Sequence, residues 1–90
     1  MYRLYINTEG WKIINVCKNE EEIINDLIEE HNKNKHNYFM IIKRFNDTDE
    51  IVTVTRSEED IEEYLKEFKE RKRLNDIPIS ELKRYIINRR

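Results

Sequence analysis

Two acidic runs are the first candidates for chemistry in this sequence of 90 residues: residues 20–22 read Glu-Glu-Glu, and residues 58–60 read Glu-Glu-Asp. Acid–base catalysis needs two carboxyl groups in different environments, with one of them shielded from water. Both runs instead open a predicted helix, where the helix dipole stabilises negative charge. We therefore interpret them as helix starts and expect no catalytic residue there. An acidic surface that imitates nucleic-acid phosphates or binds a basic partner stays open as an alternative.

The remaining reactive side chains have simpler structural explanations. Cys17 is the only cysteine, so it forms no disulfide within the chain, and we interpret it as a small strand residue. His31 and His36 surround the end of a predicted helix and lack the cysteine pair of a typical zinc site. Ser57 and Ser80 are better explained as helix N-caps than as nucleophiles. A single glycine excludes a phosphate-binding glycine-rich loop, and we expect no enzyme activity, no metal and no cofactor.

The strongest structural pattern lies in residues 38–68, which read strand, turn, strand, cap and helix. Residues 39–45 and 51–55 are rich in aromatic and β-branched side chains, and residues 46–49 form a polar turn. Ser57 and Asp60 have the spacing of a capping box. The helix after them has an apolar stripe at i, i+3, i+4 and i+7, formed by Ile61, Tyr64, Leu65 and Phe68.

The first third of the chain repeats this order. Residues 2–6 and 11–17 are predicted strands, joined by a turn that contains Gly10, which we expect at a positive φ. Asn19 caps a helix whose apolar stripe contains Ile23, Ile24, Leu27 and Ile28. At an offset of 38, residues 12–27 align with residues 50–65, and six of the sixteen positions are identical. Duplication and convergence both explain this match.

The chain is expected to be one domain with a first ββα unit (1–31), a second ββα unit (38–73) and a C-terminal helical extension (74–90). Residues 75–78 end the second helix, and Ser80 caps a short third one. This order predicts an α+β fold in two layers, with a four-stranded antiparallel sheet in ββαββα order plus a short C-terminal helix.

Alternation along the strands assigns each residue to a face of the sheet. The helices are expected to cover an inner face formed by Leu4, Ile14, Val16, Phe39, Ile41, Phe45, Val52 and Val54. The other face then carries Tyr5, Trp11, Ile13, Tyr38, Met40 and Ile42, which is too apolar to contact water without a reason. Either the C-terminal helix covers it through Leu82, Tyr85 and Ile86, or a second chain does, and we favour a second chain, such as a homodimer. Base stacking on these aromatic residues, beside Arg3 and Arg44, is a third alternative.

The net charge of −2 hides an asymmetry along the chain. Residues 1–65 contain 8 basic and 15 acidic side chains, whereas residues 66–90 contain 9 basic and 4 acidic ones. A basic segment on an acidic body is typical of a surface for nucleic acid or an acidic partner. The predicted partner-binding residues are therefore Tyr5, Trp11, Ile13 and Tyr38 on the sheet, and the basic Lys69, Arg71, Lys72, Arg73, Lys83 and Arg84.

No stretch has the roughly 20 apolar residues of a membrane span or the apolar run of a signal peptide, so we expect a cytoplasmic protein without a membrane partner. Alanine and glutamine are absent, whereas isoleucine, asparagine, lysine and glutamate are abundant, which is typical of an A/T-rich genome. In size and composition the chain is similar to small accessory proteins of phages and plasmids, including anti-CRISPR proteins. This resemblance implies a non-catalytic inhibitor that binds a protein partner, such as a host defence or nucleic-acid-processing complex. The alternative is a nucleic-acid-binding regulator that uses the basic C-terminal region.

Overall fold

The computed structural model describes residues 1–74 and 77–88. Its elements, in chain order, are β1 (Tyr2–Asn7), β2 (Trp11–Cys17), α1 (Glu20–Lys33), β3 (Tyr38–Phe45), β4 (Thr48–Thr55), α2 (Glu58–Arg71) and α3 (Ile79–Asn88). This confirms the predicted ββαββα order and the short C-terminal helix. None of the helices in these residues is long and apolar enough to cross a membrane.

The four strands form one antiparallel sheet in the order β2-β1-β3-β4, so the two hairpins meet at their first strands. α1 packs on β1, β2 and β3, and α2 packs on β4. α3 packs against both of the longer helices. All three helices therefore lie on one side of the sheet, and the other side is left without a layer from the described chain.

The ends of the two long helices follow the predicted capping chemistry. The Asn19 side chain accepts a hydrogen bond from the backbone N–H of Glu22, and Ser57 and Asp60 form a complete capping box at the start of α2. α2 ends in a Schellman motif, in which Arg73 has a left-handed φ of 58° and the Leu74 N–H donates to the Lys69 carbonyl oxygen. The helix thus ends before residues 75–78, the segment predicted to break it, of which residues 75 and 76 lie outside the described part.

Ser80 is not the cap that we expected for the third helix. α3 begins at Ile79, and the Leu82 N–H donates to the Pro78 carbonyl oxygen at 2.8 Å. Pro78 therefore occupies the position before the helix, and Ser80 lies inside its first turn. Proline has no side-chain acceptor, so Pro78 does not replace a serine cap; it only lacks a backbone N–H of its own at this position.

The core confirms the predicted helix stripes. Each stripe is buried against the sheet, together with two residues of α3. The fully or almost fully buried apolar side chains are Leu4, Ile23, Ile24, Leu27, Phe39, Ile41, Ile61, Leu65, Phe68, Leu82 and Ile86. Gly10 also has the positive φ expected of the first turn, at 124°.

Two strands present a different inner face from the predicted one. Val16 and Val54, which we expected inside, are 43% and 47% exposed. The following residues, Cys17 and Thr55, are buried instead. Assigning the aliphatic set of each strand to the core is therefore wrong at these positions.

A β-bulge in the second hairpin reverses the alternation along β4. Ile41 pairs with Thr53, but the next residue of β3, Ile42, pairs with Ile51. Val52 is therefore an extra residue, and an extra residue shifts the side-chain alternation by one position. Val52 itself packs partly against the core, as predicted.

The first hairpin has the same irregularity at the corresponding place. Leu4 pairs with Asn15 and Tyr5 with Ile13, so Ile14 is the extra residue. Ile14 is 39% exposed, although the prediction places it inside. Neither bulge contains a glycine, so the sequence does not mark its position.

Phe45 also lies outside the core, with 68% of its surface exposed. It has the inward parity of the buried β3 residues but forms the last pair of its hairpin, with Thr48. Asn46 and Asp47 follow as a two-residue turn with φ values of 49° and 61°. The prediction that Phe45 belongs to the core is wrong because the helices do not cover this end of the hairpin.

The two halves of the chain have matching backbones, and we call β1–β2–α1 the first repeat and β3–β4–α2 the second. Adding 38 to the residue numbers of α1 gives the bounds of α2, and the same offset relates the bulge residue Ile14 to Val52. The strands β1 and β3 correspond at an offset of 37, which relates Leu4 to Ile41. These two residues also pair with each other, so an approximate two-fold axis passes between them, perpendicular to the sheet.

Candidate functional site

The side of the sheet away from the helices is an ordered array of side chains. Cross-strand pairing arranges its central positions in three rows. Two rows cross all four strands, from β2 to β4: Val16, Arg3, Ile42 and Ile51; then Ile13, Tyr5, Met40 and Val54. The third row reads Trp11, Asn7 and Tyr38 and ends at Arg56, which directly follows β4 and bonds the Tyr38 side chain. We call these twelve residues the outer face. It contains all six residues that the sequence places on this side.

The outer face is an exposed apolar surface. Nine of its twelve side chains are aliphatic or aromatic, and Trp11 and Tyr38 are 41% and 42% exposed. Because neighbouring strands lie about 4.8 Å apart, the four strands and three rows of side chains give the outer face an area on the order of several hundred Å². Contiguous apolar patches of this order are typical of interaction sites rather than of inert surface.

The C-terminal helix does not cover the outer face. One prediction placed Leu82 and Ile86 over this face as part of a covering C-terminal helix. Both residues are instead buried on the helical side, where α3 contacts α1 and α2. The side chain of Tyr85 lies outside the described part of the structure. Within the described chain, no helix or strand is therefore layered on the outer face.

The charged groups of the outer face are cationic. The Arg56 Nη1 donates to the Tyr38 hydroxyl oxygen at 3.0 Å, and its guanidinium carbon lies 5.5 Å from the centre of the tyrosine ring. This hydrogen bond is the main reason that the pKa of Arg56 is raised. Beyond the first row, Arg44 contacts Asp49 at 3.8 Å. Arg3 lies half-buried on a central strand, and no ion pair joins its side chain to another described residue.

The basic residues predicted to bind a partner do not form one surface. Arg71, the last residue of α2, donates two hydrogen bonds of 2.7 Å to the Glu20 carboxylate. Lys83 on α3 pairs with Glu58, the first residue of α2, and lies 4.0 Å from Glu62. α2 has 14 residues, or about 20 Å of helix, so these two cations lie at its opposite ends. Of the other predicted basic residues, Lys72, Arg73 and Arg84 are exposed and Lys69 is half-buried.

Glu20 is the centre of a buried polar cluster that we did not predict. Its carboxylate accepts hydrogen bonds from the Tyr64 hydroxyl, at 2.5 Å, and from Arg71. Burial by itself raises the pKa of Glu20, but the bonds from Arg71 and Tyr64 outweigh burial and hold that pKa below its ordinary value. Glu20 is therefore ionised at neutral pH, which does not suit a general acid. The one clue in the sequence is Tyr64 within an apolar stripe, because a buried tyrosine hydroxyl needs a partner.

The other candidate reactive groups are parts of the packed structure. The Cys17 thiol donates to the Asp26 carboxylate at 3.2 Å, and the Asn15 amide donates to the same carboxylate. His31 is buried, and its Nε2 lies 3.6 Å from the Glu58 carboxylate. Among the residues that the structure describes, no group of three histidine, cysteine, aspartate or glutamate side chains is placed to hold a metal ion.

The chain matches no protein-family model, and no curated protein or solved structure gives a significant match. Its function has to be inferred from its own surfaces. The outer face combines exposure, apolar character and three aromatic residues, whereas the basic residues of the C-terminal region are dispersed and partly neutralised.

Proposed function

We propose that this chain is a non-catalytic binding protein that acts by occupying a partner protein with its outer face. The observation that carries the proposal is the largely apolar array across all four strands, which no helix of the described chain covers. Tyrosine and tryptophan are enriched where protein surfaces meet, and Tyr5, Trp11 and Tyr38 lie in this array. Their rigid rings add contact area at a low entropic cost.

A protein partner fits the outer face better than a nucleic acid does. Single-stranded nucleic acids bind where bases stack on aromatic rings and several cations contact phosphates. Here the edge strands present β-branched aliphatic side chains, which have no π face: Ile13, Val16, Ile51 and Val54. Arg71 and Lys83, which belong to the predicted basic region, are engaged with carboxylates of the same chain.

In its more specific form, the proposal makes the chain an inhibitor of a host defence or nucleic-acid-processing complex, in the manner of anti-CRISPR proteins. Its support is the small size, the A/T-rich composition and a mode of action that needs no chemistry, only occupation of a surface. The specific form is tested on whichever partner the outer face captures, by asking whether the wild-type chain stops that partner's activity.

Photo-crosslinking tests the general form. A photo-reactive amino acid is placed at Ile13 or at Val54 on the outer face, and at Glu63 on the exposed side of α2 as the matched control. In an extract of the source cells, both outer-face positions are expected to crosslink the same protein, whereas the α2 position does not. The double variant Ile13→Lys, Val54→Lys is expected to abolish binding of that protein without unfolding the chain.

Two outcomes would count against the proposal. Equal crosslinking from the α2 position would show that the outer face has no special role. A salt-sensitive mobility shift with generic DNA or RNA, retained by the double lysine variant and lost on reversing Lys72 and Arg73, would favour the nucleic-acid alternative instead.

A further inference from the structure

The charge of the outer face restricts what kind of protein surface can cover it. Among the twelve residues of the array, the only charged side chains are Arg3 and Arg56, and no carboxylate is present. The helical layer has the opposite character, since a groove of about 520 Å³ along α2 is lined by Glu59, Glu62, Glu63, Glu67 and Glu70 with Lys66 and Ile79. The molecule therefore has a cationic apolar side and an acidic side.

We propose that the protein surface that binds the outer face is apolar and carries carboxylates, one of which pairs with Arg3. This inference rests on the proposed function and specifies the chemistry of its partner. Arg3 lies on the central strand β1, between Val16 on one side and Ile42 on the other. A partner that covers these apolar neighbours also removes water from the guanidinium group.

The energetics of Arg3 require an anion from the partner. A charged group that loses its water without gaining a hydrogen-bonded counter-charge destabilises a complex strongly. Arg56 has Tyr38, and Arg44 has Asp49, but Arg3 has no described partner within the chain. A carboxylate is the natural ligand, because its two oxygens match the guanidinium fork.

A second copy of the chain supplies such a carboxylate poorly. The three rows of another outer face contain none, and Asp49, which lies on the edge strand beyond the first row, contacts Arg44. Packing two copies face to face would therefore cover two Arg3 side chains with a surface that has no free anion near its centre. We therefore favour a different protein over the homodimer expected from the sequence.

The repeat symmetry also singles out Arg3. At the offset that relates β1 to β3, the equivalent of Arg3 is Met40, and the equivalent of Tyr5 is Ile42. On the edge strands, Ile13 corresponds to Ile51 and Val16 to Val54. The aliphatic frame is thus common to both repeats, whereas Arg3 has an apolar equivalent in the second repeat.

Trp11, the only tryptophan, lies on the outer face and reports binding directly. The probes are two amphipathic 14-residue peptides with leucines at identical helical positions. One peptide has glutamates at its charged positions, and the other has lysines at the same positions. At 50 mM salt the glutamate peptide is expected to shift Trp11 emission to the blue and to bind about tenfold tighter than the lysine peptide, which corresponds to about 1.4 kcal/mol. At 500 mM salt the difference is expected to shrink, because ions screen the charges.

Three variants assign the preference to its residue. Arg3→Gln is expected to remove the preference for the glutamate peptide, and Arg3→Glu to invert it. Lys66→Glu, which makes the same charge change on the exposed side of α2, is expected to leave it unchanged.

Several results would overturn the inference. Three results would contradict a carboxylate-bearing partner: equal binding of both peptides, no binding of either, or a preference that survives Arg3→Glu. The crosslinking test of the proposed function is independent of these results. A concentration-dependent blue shift without peptide, together with a dimer in sedimentation, would identify a second copy as the occupant. Tighter binding of a 12-nucleotide single strand than of the glutamate peptide would overturn both the inference and the protein-binding function.

Discussion

The two repeats share a backbone and differ in what they do with polar side chains inside it. In the first repeat, the buried Cys17 thiol donates to the Asp26 carboxylate. In the second, the equivalent residues are Thr55 and Tyr64, and the Thr55 hydroxyl, also buried, has no described hydrogen-bond partner. Tyr64 points across to the other repeat and donates to Glu20. The apolar stripes preserve the architecture, and the polar groups have diverged within it.

The N-termini of the two long helices show the same divergence. Glu20 and Glu58 occupy equivalent first positions, and each faces the C-terminal part of the other helix. Glu20 is 5% exposed and bonded by Arg71 and Tyr64, whereas the Glu58 side chain is 51% exposed. Glu58 contacts Lys83 and lies 3.6 Å from His31. One helix start is therefore a tightly bonded interior site, and its counterpart is a loosely paired surface site.

The shared backbone of the two repeats favours duplication over convergence as the origin of the repeat. Helices of equal length and strands of equal order are common outcomes of similar sequence patterns. Two bulges at equivalent positions, Ile14 and Val52, are harder to obtain independently, because neither is encoded by a glycine or a turn motif. A shared ancestor explains the common backbone, and later change explains why the polar contacts no longer match.

The largest expected effect tests the shared part of the architecture. Leu27 and Leu65 are equivalent residues, and both are fully buried. Leu27→Ala and Leu65→Ala are each expected to lower the free energy of unfolding by about 2–5 kcal/mol, because each leaves a cavity in the core. Chemical denaturation measures both losses. A loss below about 1 kcal/mol in one variant but not the other would contradict the equivalence of the two stripes.

The next effect tests the divergent part. Glu20→Gln removes a buried charge that accepts three hydrogen bonds, and it is expected to cost about 1–3 kcal/mol, reduced by the half-exposed position of Arg71. The matched variant Glu58→Gln is expected to cost less than about 0.5 kcal/mol, because exposed ion pairs contribute little. Similar losses in both variants, measured by urea denaturation, would show that the two helix starts are energetically equivalent despite their different burial.

The pH dependence of stability tests the Glu20 carboxylate. The pKa of Glu20 is lower in the folded state than its ordinary value, so Glu20 stabilises the fold above about pH 4.3. That stabilisation is lost as the pH falls through the folded-state pKa. The free energy of unfolding of Glu20→Gln is therefore expected to fall less steeply below pH 4.3 than that of the wild type. A slope as steep in Glu20→Gln as in the wild type, measured by denaturation across this pH range, would contradict the assignment.

The sequence predicts what depends on local pattern and misses what depends on pairing. The two long helices follow from neighbouring residues, so the Ser57–Asp60 capping box and the buried Leu65 are predicted correctly. The Ser80 cap, expected from the same kind of pattern, is wrong because α3 begins one residue earlier. Strand faces depend on register, and a single unmarked extra residue such as Val52 reverses the alternation along the rest of its strand. The position of Phe45 depends on how far the helices extend over a hairpin, which strand alternation does not encode.

The candidate site follows the same rule. Tyr5, Trp11 and Ile13 lie on the outer face as expected. Trp11 and Ile13 precede the extra residue of β2, and Tyr5 lies on β1, which has no extra residue. Val16 and Val54 were missed as members of this face, because each follows a bulge that reverses its parity. The Glu20 cluster joins residues of α1 to residues of α2 that are 44 and 51 positions away, and no local spacing predicts a contact at such a distance along the chain.

The smallest expected effect tests whether the corrected faces are right in both repeats at once. Val16 and Val54 are equivalent, both about half-exposed, and both on the face away from the helices. Val16→Lys and Val54→Lys are each expected to change the free energy of unfolding by less than about 1 kcal/mol, because a lysine there keeps its ammonium group in water. The same substitution one residue further along strand β4, at the buried Thr55, buries an unpaired charge and is expected to unfold the chain. A loss at Val54→Lys as large as that of Leu65→Ala, measured in the same denaturant series, would mean that the bulge does not reverse the strand and that the aliphatic set belongs to the core after all.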